Sequence, residues 1–168
     1  MRSTNRARFA ALLLVMANCA NAFDGASGCY WPEVQTHVRH LYAIYGPMSI
    51  KNEFFGFIYR DGARVDSAVV RSRNCVLGNC EVDVAMAAQR IPSGARVLGE
   101  WHTHPRSGSW ELSMLDVRGA YRNRNVACYA AYFSRPDGRI FAWDPSRTSV
   151  PTAMASLLLV GNYSTRPG

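Results

Sequence analysis

Apolar residues recur at helical spacing along the segment PEVQTHVRHLYAIY, residues 32–45. A helix over this segment places one set of side chains on a single face: Val34, Val38, Leu41 and Tyr45. The segment begins with a proline and a glutamate, which suit a first helical turn, and a Gly-Pro pair follows its last residue. The pattern therefore predicts an amphipathic helix over residues 32–45.

The middle of the chain has patterns typical of strands and of short helices. The aromatic segment NEFFGFIYRDG (52–62) predicts a buried strand that ends in an Asp-Gly turn, and ARVDSAVVRS (63–72) predicts its hairpin partner. The segment VAMAAQRIP (84–92) predicts a short helix that ends near its proline. The apolar segment RVLGEWHTH (96–104) predicts a further strand.

The C-terminal part of the chain continues this mixture. The segment LSMLDVRGAYRNRN (112–125) predicts a helix, and VACYAAYFS (126–134) with IFAW (140–143) predicts a second hairpin around the turn RPDGR. The apolar run AMASLLLV (153–160) fits either type of element. Strands mixed with helices indicate an α/β layered fold, and 168 residues with 48% hydrophobic side chains suit one core.

The first 22 residues have the features of an export signal. Three arginines precede the apolar run FAALLLVMA, and the small-residue segment ANA ends at Ala22. The run is far shorter than the ~20 apolar residues of a membrane span. Lipidation at Cys19 is a further alternative, but Asn18 is a poor fit to the small residue that precedes such sites. We predict a signal peptide over residues 1–22, one domain over residues 23–168, and a periplasmic or secreted protein without a stable membrane anchor.

Charge and cysteine content bear on partners and compartment. Loss of the leader lowers the net charge from +7 to +4, and the local basic cluster RGAYRNRN lies on a predicted helix, so we expect no nucleic-acid partner. Cys29, Cys75, Cys80 and Cys128 remain, an even number that predicts disulfides in an exported protein. Three pairings are possible. We favour Cys75–Cys80, which closes the turn CVLGNC, with Cys29–Cys128.

Two histidines and one aspartate suggest a metal site. His102 and His104 alternate at the end of a predicted strand, so both imidazoles point to one side of the sheet. Asp116 follows in the first turn of a predicted helix, and these three ligands leave a fourth position open for water, as in catalytic zinc sites. His37 and His40 also have a metal-ligand spacing, but a solvent-facing pair is commoner on such a helix.

Hydrolysis at such a site needs a carboxyl group that first accepts a proton from water as a base and then delivers it to the leaving group as an acid. Glu53, Glu100 and Glu111 are the candidates. Glu100 shares the face of the histidines one pleat further back, and Glu111 lies in the following loop, so spacing alone does not choose among them. The S-x-x-D segment by itself is a helix-capping signature. The prediction of a metal site therefore depends on all these residues together.

The order of these motifs resembles the JAMM (MPN+) metallopeptidase family. Its pattern is an E-x-x-G glutamate, then H-x-H-P, then S-x-x-D, and this chain has NEFFGFIY, HTHP and LSMLD in that order. The resemblance covers residues 32–145 and extends to exported bacterial HTHP proteins, including toxin-associated relatives. It implies a deaminase-like three-layer α/β/α sandwich with a central mixed β-sheet.

The resemblance also implies a role for each matching residue. His102, His104 and Asp116 would bind Zn²⁺, Glu53 would act as the catalytic acid and base, and Ser113 would support the oxyanion. The chain departs from the pattern in its loop, where seven residues separate the HTHP proline from the serine, one more than is usual. In addition, a leucine precedes the serine where a proline is common. Both departures concern the loop that positions the aspartate.

The expected function is that of an exported zinc-dependent peptidase or isopeptidase. Such an enzyme would hydrolyse an amide or isopeptide bond with a zinc-activated water, as a secreted effector or a cell-wall enzyme. Its substrate would be a peptide cross-link of the cell wall, a rival cell's protein or a host protein. Two alternatives remain open: a catalytically silent binding module of the same fold, and a disulfide-bonded periplasmic inhibitor or immunity protein.

Overall fold

The structure is a computed structural model that describes residues 32–76, 79–108, 111–146 and 158–162. Its helices are α1 (Pro32–Tyr45), a 3-10 turn (Pro47–Ile50), α2 (Val84–Gln89) and α3 (Met114–Arg122). Its strands are β1 (Phe54–Asp61), β2 (Arg64–Arg71), β3 (Asn74–Val76), β4 (Asn79–Glu81), β5 (Arg96–Thr103), β6 (Ala130–Ser134), β7 (Arg139–Trp143) and β8 (Leu158–Asn162). None of the helices in the described part of the chain is long and apolar enough to cross a membrane.

A mixed β-sheet organises the fold. Its six strands lie in the order β2-β1-β5-β6-β7-β8, and β3 pairs with β4 in a separate hairpin. Neighbours β5 and β6 run parallel, whereas the other neighbouring pairs run antiparallel. The predicted α/β class with a mixed central sheet is therefore confirmed.

The β1–β2 hairpin forms around the predicted Asp-Gly turn. Asp61 pairs with Arg64, and Gly62 in the turn has a φ of 58°, which glycine adopts without a steric penalty. The register then continues back along both strands to Phe54 opposite Arg71. This register fixes which residues lie across from the start of β1.

Helix α1 packs on one face of the sheet. Its buried residues are Val34, Val38, Leu41 and Tyr42. The ring of Tyr45 contacts those of Phe54 and Trp101, with centroids 5.0 and 5.9 Å apart. Trp101 is 0% exposed and donates its indole N–H to Ser134 Oγ at 2.8 Å. Trp101 is thus a core residue, and Trp110, the other tryptophan near the histidines, lies outside the described residues.

Helices α2 and α3 pack on the opposite face. Phe55 and His102 are cross-strand partners. They follow Phe54 and Trp101, whose rings contact α1, so the side chains of Phe55 and His102 point to the other face of the sheet. One buried cluster on this side joins α3 to the sheet: Leu112, Val117, Ala120, Ala131, Phe133 and Trp143. A second cluster joins α2 to the hairpin: Phe55, Val70 and Ala87. These contacts position the first turn of α3 beside the end of β5.

The disulfide between Cys75 and Cys80 is present, as predicted, and joins paired residues of β3 and β4. Cys128 is also disulfide-bonded, but its predicted partner Cys29 lies outside the described residues, so that pairing stays a prediction. The predicted signal peptide, residues 1–22, lies outside them as well.

The prediction of a strand from residue 126 was wrong, because β6 begins only at Ala130. Backbone hydrogen bonds close turns over the four preceding residues, from Val126 N to Asn123 O and from Tyr129 N to Val126 O. Cys128 has a positive φ of 66° in these turns, which is incompatible with a strand. The C-terminal apolar run, left open between helix and strand, provides residues of β8.

Gly99 is required by the close approach of β5 to β6. It pairs with Ala130, and a Cβ at this position would lie 2.1 Å from the Ala130 carbonyl oxygen. We expect Gly99→Ala to lower the free energy of unfolding by about 3 kcal/mol, since a strand must shift. Gly119→Ala is the control: its Cβ meets no atom of the described residues within 4 Å, so stability should rise by ~0.5–1 kcal/mol. Urea unfolding measures both, and equal effects would contradict this explanation.

Candidate metal centre

The predicted ligands come together at the end of β5. His102 lies in the strand, His104 just beyond it, and Asp116 in the first turn of α3. One ligand atom from each residue lies within 4.8 Å of the others. Asp116 Oδ2 is 3.8 Å from His102 Nε2 and 3.4 Å from His104 Nε2. The group can therefore hold a metal ion, and the longer loop before α3 does not separate its members.

A capping box fixes Asp116. Ser113 is the N-cap of α3, its backbone N–H donates to Asp116 Oδ2 at 2.7 Å, and its hydroxyl accepts the Asp116 N–H at 3.2 Å. Leu112 and Val117, before and after this turn, are buried in one cluster, which matches a hydrophobic staple. The leucine that replaces the usual proline thus anchors the end of the loop in the core.

The histidines are held by burial and by one aromatic ring. The Phe133 ring lies 5.1 Å from the His102 ring and 4.7 Å from the His104 ring, between centroids. His102 is 2% exposed, and its Nε2 has no hydrogen-bond partner in the described part of the chain. Burial lowers the pKa of His102 to about 4, despite the opposing charge of Asp116, so its imidazole is neutral near pH 7. A neutral, buried and unpartnered nitrogen suits a metal ligand.

Asp116 has the complementary charge. Burial alone would raise the pKa of its carboxyl, but the hydrogen bond with His104, the nearby His102 and the hydrogen bond from Ser113 hold this pKa well below its usual range. The carboxylate is therefore ionised in neutral solution. A neutral imidazole and an ionised carboxylate are the forms in which histidine and aspartate bind divalent metals.

Glu53 is the residue before β1, and it lines the same cleft as the three ligands. Because Phe55 pairs with His102, continuation of the same antiparallel register brings Glu53 opposite His104. The backbone of Glu53 bonds twice to Ser72: its N–H donates to Ser72 Oγ at 3.0 Å, and its carbonyl accepts the Ser72 N–H at 2.8 Å. Burial, with Asp116 acting in the same direction and His104 opposing it, raises the pKa of Glu53 to about 7.

The other two acid candidates differ from Glu53. Glu100 is 4% exposed and accepts a short hydrogen bond from the Tyr129 hydroxyl, which in turn accepts one from the Asn123 side chain at 3.0 Å. Burial raises the pKa of Glu100 to about 7 as well. Glu111 is exposed and is not among the residues that line the cleft described next. Glu53 and Glu100 both line that cleft, and of the two only Glu53 has no tyrosine donor among the described residues.

A cleft of about 600 Å³ contains all five predicted site residues, Glu53, His102, His104, Ser113 and Asp116. Its apolar wall is formed by β1 and the segment after β4, through Phe55, Phe57, Val82 and Val84. Its other wall is α3 with the residue after it, through Leu115, Gly119, Arg122 and Asn123. The disulfide hairpin contributes Asn79 and Cys80. A substrate in this cleft would contact the metal group and Glu53 together.

No protein-family model matches this chain, and no curated protein matches it.

Five residues that line the cleft or contact its side chains were not identified from the sequence: Ser72, Arg122, Asn123, Tyr129 and Phe133. Ser72 had a usable signal, since counting back from the Asp-Gly turn brings it opposite Glu53. The other four had none, because their positions depend on how distant elements pack. The alternative pair His37 and His40 lies on α1 with ring centroids 6.4 Å apart, and among the described residues no third ligand joins them.

Proposed function

We propose that this protein is an exported zinc-dependent peptidase or isopeptidase of the JAMM (MPN+) type. The observation that carries the proposal is the convergence of His102, His104 and Asp116 to within 4.8 Å, in one cleft with Glu53 and Ser113. The five residues that match the family pattern thus line one cleft. The packing of α1 on one face of the sheet and of α2 and α3 on the other supports the three-layer α/β/α sandwich that the resemblance implies.

The donor set favours zinc. Two imidazole nitrogens and one carboxylate are a common ligand set of catalytic zinc sites, and the unpartnered Nε2 of His102 fits this use. A zinc ion held there supplies a Lewis acid that acidifies water and polarises a carbonyl.

Glu53 is assigned the proton transfers. Its carboxylate accepts a proton from the attacking water, and the resulting carboxyl delivers that proton to the nitrogen of the leaving amine as the C–N bond breaks. A pKa of about 7 suits both steps, because neither form is strongly favoured at neutral pH. Two hydrogen bonds, which join the Glu53 backbone to the hydroxyl and to the backbone N–H of Ser72, hold Glu53 at the edge of the cleft.

Ser113 is assigned to the oxyanion. Its hydroxyl oxygen accepts the Asp116 N–H in the capping box, so the hydroxyl hydrogen stays available for donation. Because Ser113 lines the cleft, that hydrogen can be donated to the negative charge that develops on a carbonyl oxygen during attack. One residue thereby begins the helix and serves the reaction.

The substrate class follows from the predicted export. An exported hydrolase meets peptide cross-links of the cell wall, proteins of rival cells or host proteins. The test is to strip the purified protein with a chelator, restore zinc, and follow amine release from peptides, isopeptides and cell-wall fragments. We expect activity only with the metal. A folded, zinc-loaded protein that cleaves none of these would favour the silent binding module instead.

Ser72 offers a test of how Glu53 is positioned. We expect Ser72→Ala to lower kcat about tenfold with unchanged KM and zinc content, since the Glu53 N–H loses its acceptor. Ser72→Thr keeps the hydroxyl and should restore most of the rate. Ser67→Ala, within β2, removes a hydroxyl without a hydrogen bond among the described residues and serves as the control. Equal rates for Ser72→Ala and wild type would contradict a positioning role.

A further inference from the structure

We propose that Gly119 and Arg122 form a subsite for a substrate carboxylate. The preferred substrates would then carry a free carboxylate one or two residues from the amide bond that is cut. This inference rests on the proposed function and deepens it by naming the substrate class. The observations concern the side of α3 that faces the cleft. Beyond the first turn of this helix, none of the residues on that side has a role in the proposed hydrolysis.

One face of α3 lines the cleft. Asp116, Gly119 and Arg122 are spaced three residues apart, so they lie along one side of the helix, and all three border the cleft. The metal ligand is at the N-terminal end of this row and the arginine is at its C-terminal end. Arg118 of the same helix is also exposed but does not border the cleft.

Among the described residues that line the cleft, Arg122 is the sole lysine or arginine. Its side chain has no ion pair or hydrogen bond within the described part of the chain, which contains every aspartate and glutamate except Asp24. A positive charge near a helix C-terminus is mildly stabilising by itself. That effect does not explain why this arginine faces the cleft, whereas a guanidinium without a partner can bind a carboxylate through two parallel hydrogen bonds.

Gly119 is the second observation. A glycine inside a helix costs ~0.5–1 kcal/mol relative to alanine, so a glycine needs a reason there. Packing gives none, since a Cβ at Gly119 would have no heavy atom of the described residues within 4 Å. The space beside this residue is the cleft itself, between Asp116 and Arg122. The absent side chain thus leaves a passage from the metal group to the arginine.

The distances along the helix set the length of the substrate. Arg122 comes six positions after Asp116, which corresponds to ~9 Å along the helix axis. Helical side chains lean towards the N-terminus, so the arginine reaches back towards the metal group. An extended peptide spans ~3.3–3.6 Å per residue, so a carboxylate bound at Arg122 lies one or two residues from the amide at the metal group.

Binding is the appropriate measurement, because it needs no turnover. The protein is the full chain as isolated, with Glu53→Gln added to prevent cleavage. It is titrated by calorimetry with three ligands: acetyl-dialanine, acetyl-dialanine amide, and acetyl-alanyl-glutamic acid whose α-carboxyl alone is amidated. We expect a carboxylate ligand to bind about tenfold more tightly than acetyl-dialanine amide. Tighter binding of the free acid assigns the subsite to a peptide C-terminus. Tighter binding of the glutamyl amide assigns it to an acidic side chain.

Variants decide whether Arg122 is responsible. Arg122→Gln should remove the preference for the carboxylate, and Arg118→Gln, on the same helix outside the cleft, should keep it. A carboxylate bound directly by a metal ion would bind equally in both variants. The proposal would be overturned if the Glu53→Gln protein bound the carboxylate and amide ligands with equal affinity. It would also be overturned if Arg122→Gln and Arg118→Gln reduced the affinity for the carboxylate ligand equally. If the preference is present while the unsubstituted protein cleaves nothing, the proposed hydrolysis fails and the subsite stands.

Discussion

Replacement of His104 by alanine is expected to reduce zinc in the purified protein from about one ion per chain to near zero. The site then keeps two of its three protein ligands, His102 and Asp116, and we expect zinc affinity to fall at least ~100-fold. Metal content by mass spectrometry, with competition against a chromophoric chelator, measures the change. Circular dichroism shows whether the variant still folds.

The matched control is His40→Ala. His40 is an exposed histidine on α1, paired only loosely with His37, so its loss should leave zinc content unchanged. This control also tests the alternative H-x-x-H pair directly. Equally little zinc in wild type and in His104→Ala would contradict the metal centre. It would favour the small inhibitor or immunity protein, for which tight binding to a toxin unaffected by His104→Ala is expected.

Replacement of Glu53 by glutamine is expected to retain zinc while kcat falls by ~10²–10⁴-fold. Glutamine keeps the size of the side chain and its polar end but neither accepts nor delivers a proton at neutral pH. Because Glu53 does not belong to the ligand group, metal content should stay equal to that of wild type. Steady-state kinetics on a cleaved peptide, with metal analysis of the same samples, separates the two effects.

The pH profile gives an independent check on Glu53. Its carboxylate must be ionised to accept a proton, so activity is present above its pKa and lost below it. Burial raises that pKa to about 7, and a nearby metal cation lowers it again, so the acidic limb of kcat/KM should lie at or below about pH 7. Glu111→Gln, outside the cleft, should preserve the profile. A large loss in Glu100→Gln with none in Glu53→Gln would reassign the acid.

The elements that could be predicted are those whose signals are local. Helix α1 has the predicted bounds, because its apolar spacing and the following Gly-Pro pair are both contained in a short segment. The capping box at Ser113 and Asp116 was predictable for the same reason, and it positions a ligand as well as a helix. The alternation of His102 and His104 followed from strand geometry alone.

The choice of acid was not predictable, because it depends on distant packing. Glu100 and Glu53 differ mainly in that the Tyr129 hydroxyl donates to Glu100, and Tyr129 reaches it from the turn before β6. The same region was mispredicted as strand, since the positive φ of Cys128 has no clear sequence signal. The support of both histidines by Phe133 likewise follows from the parallel pairing of β5 with β6.

The metal centre is tested most directly by an anomalous difference map from zinc-soaked crystals of the protein, measured on both sides of the zinc absorption edge. We expect one strong peak at ~2.0–2.2 Å from a nitrogen of His102, a nitrogen of His104 and an oxygen of Asp116. A map without a peak among these three residues, or with its strongest peak at His37 and His40, would contradict a metal centre at the end of β5.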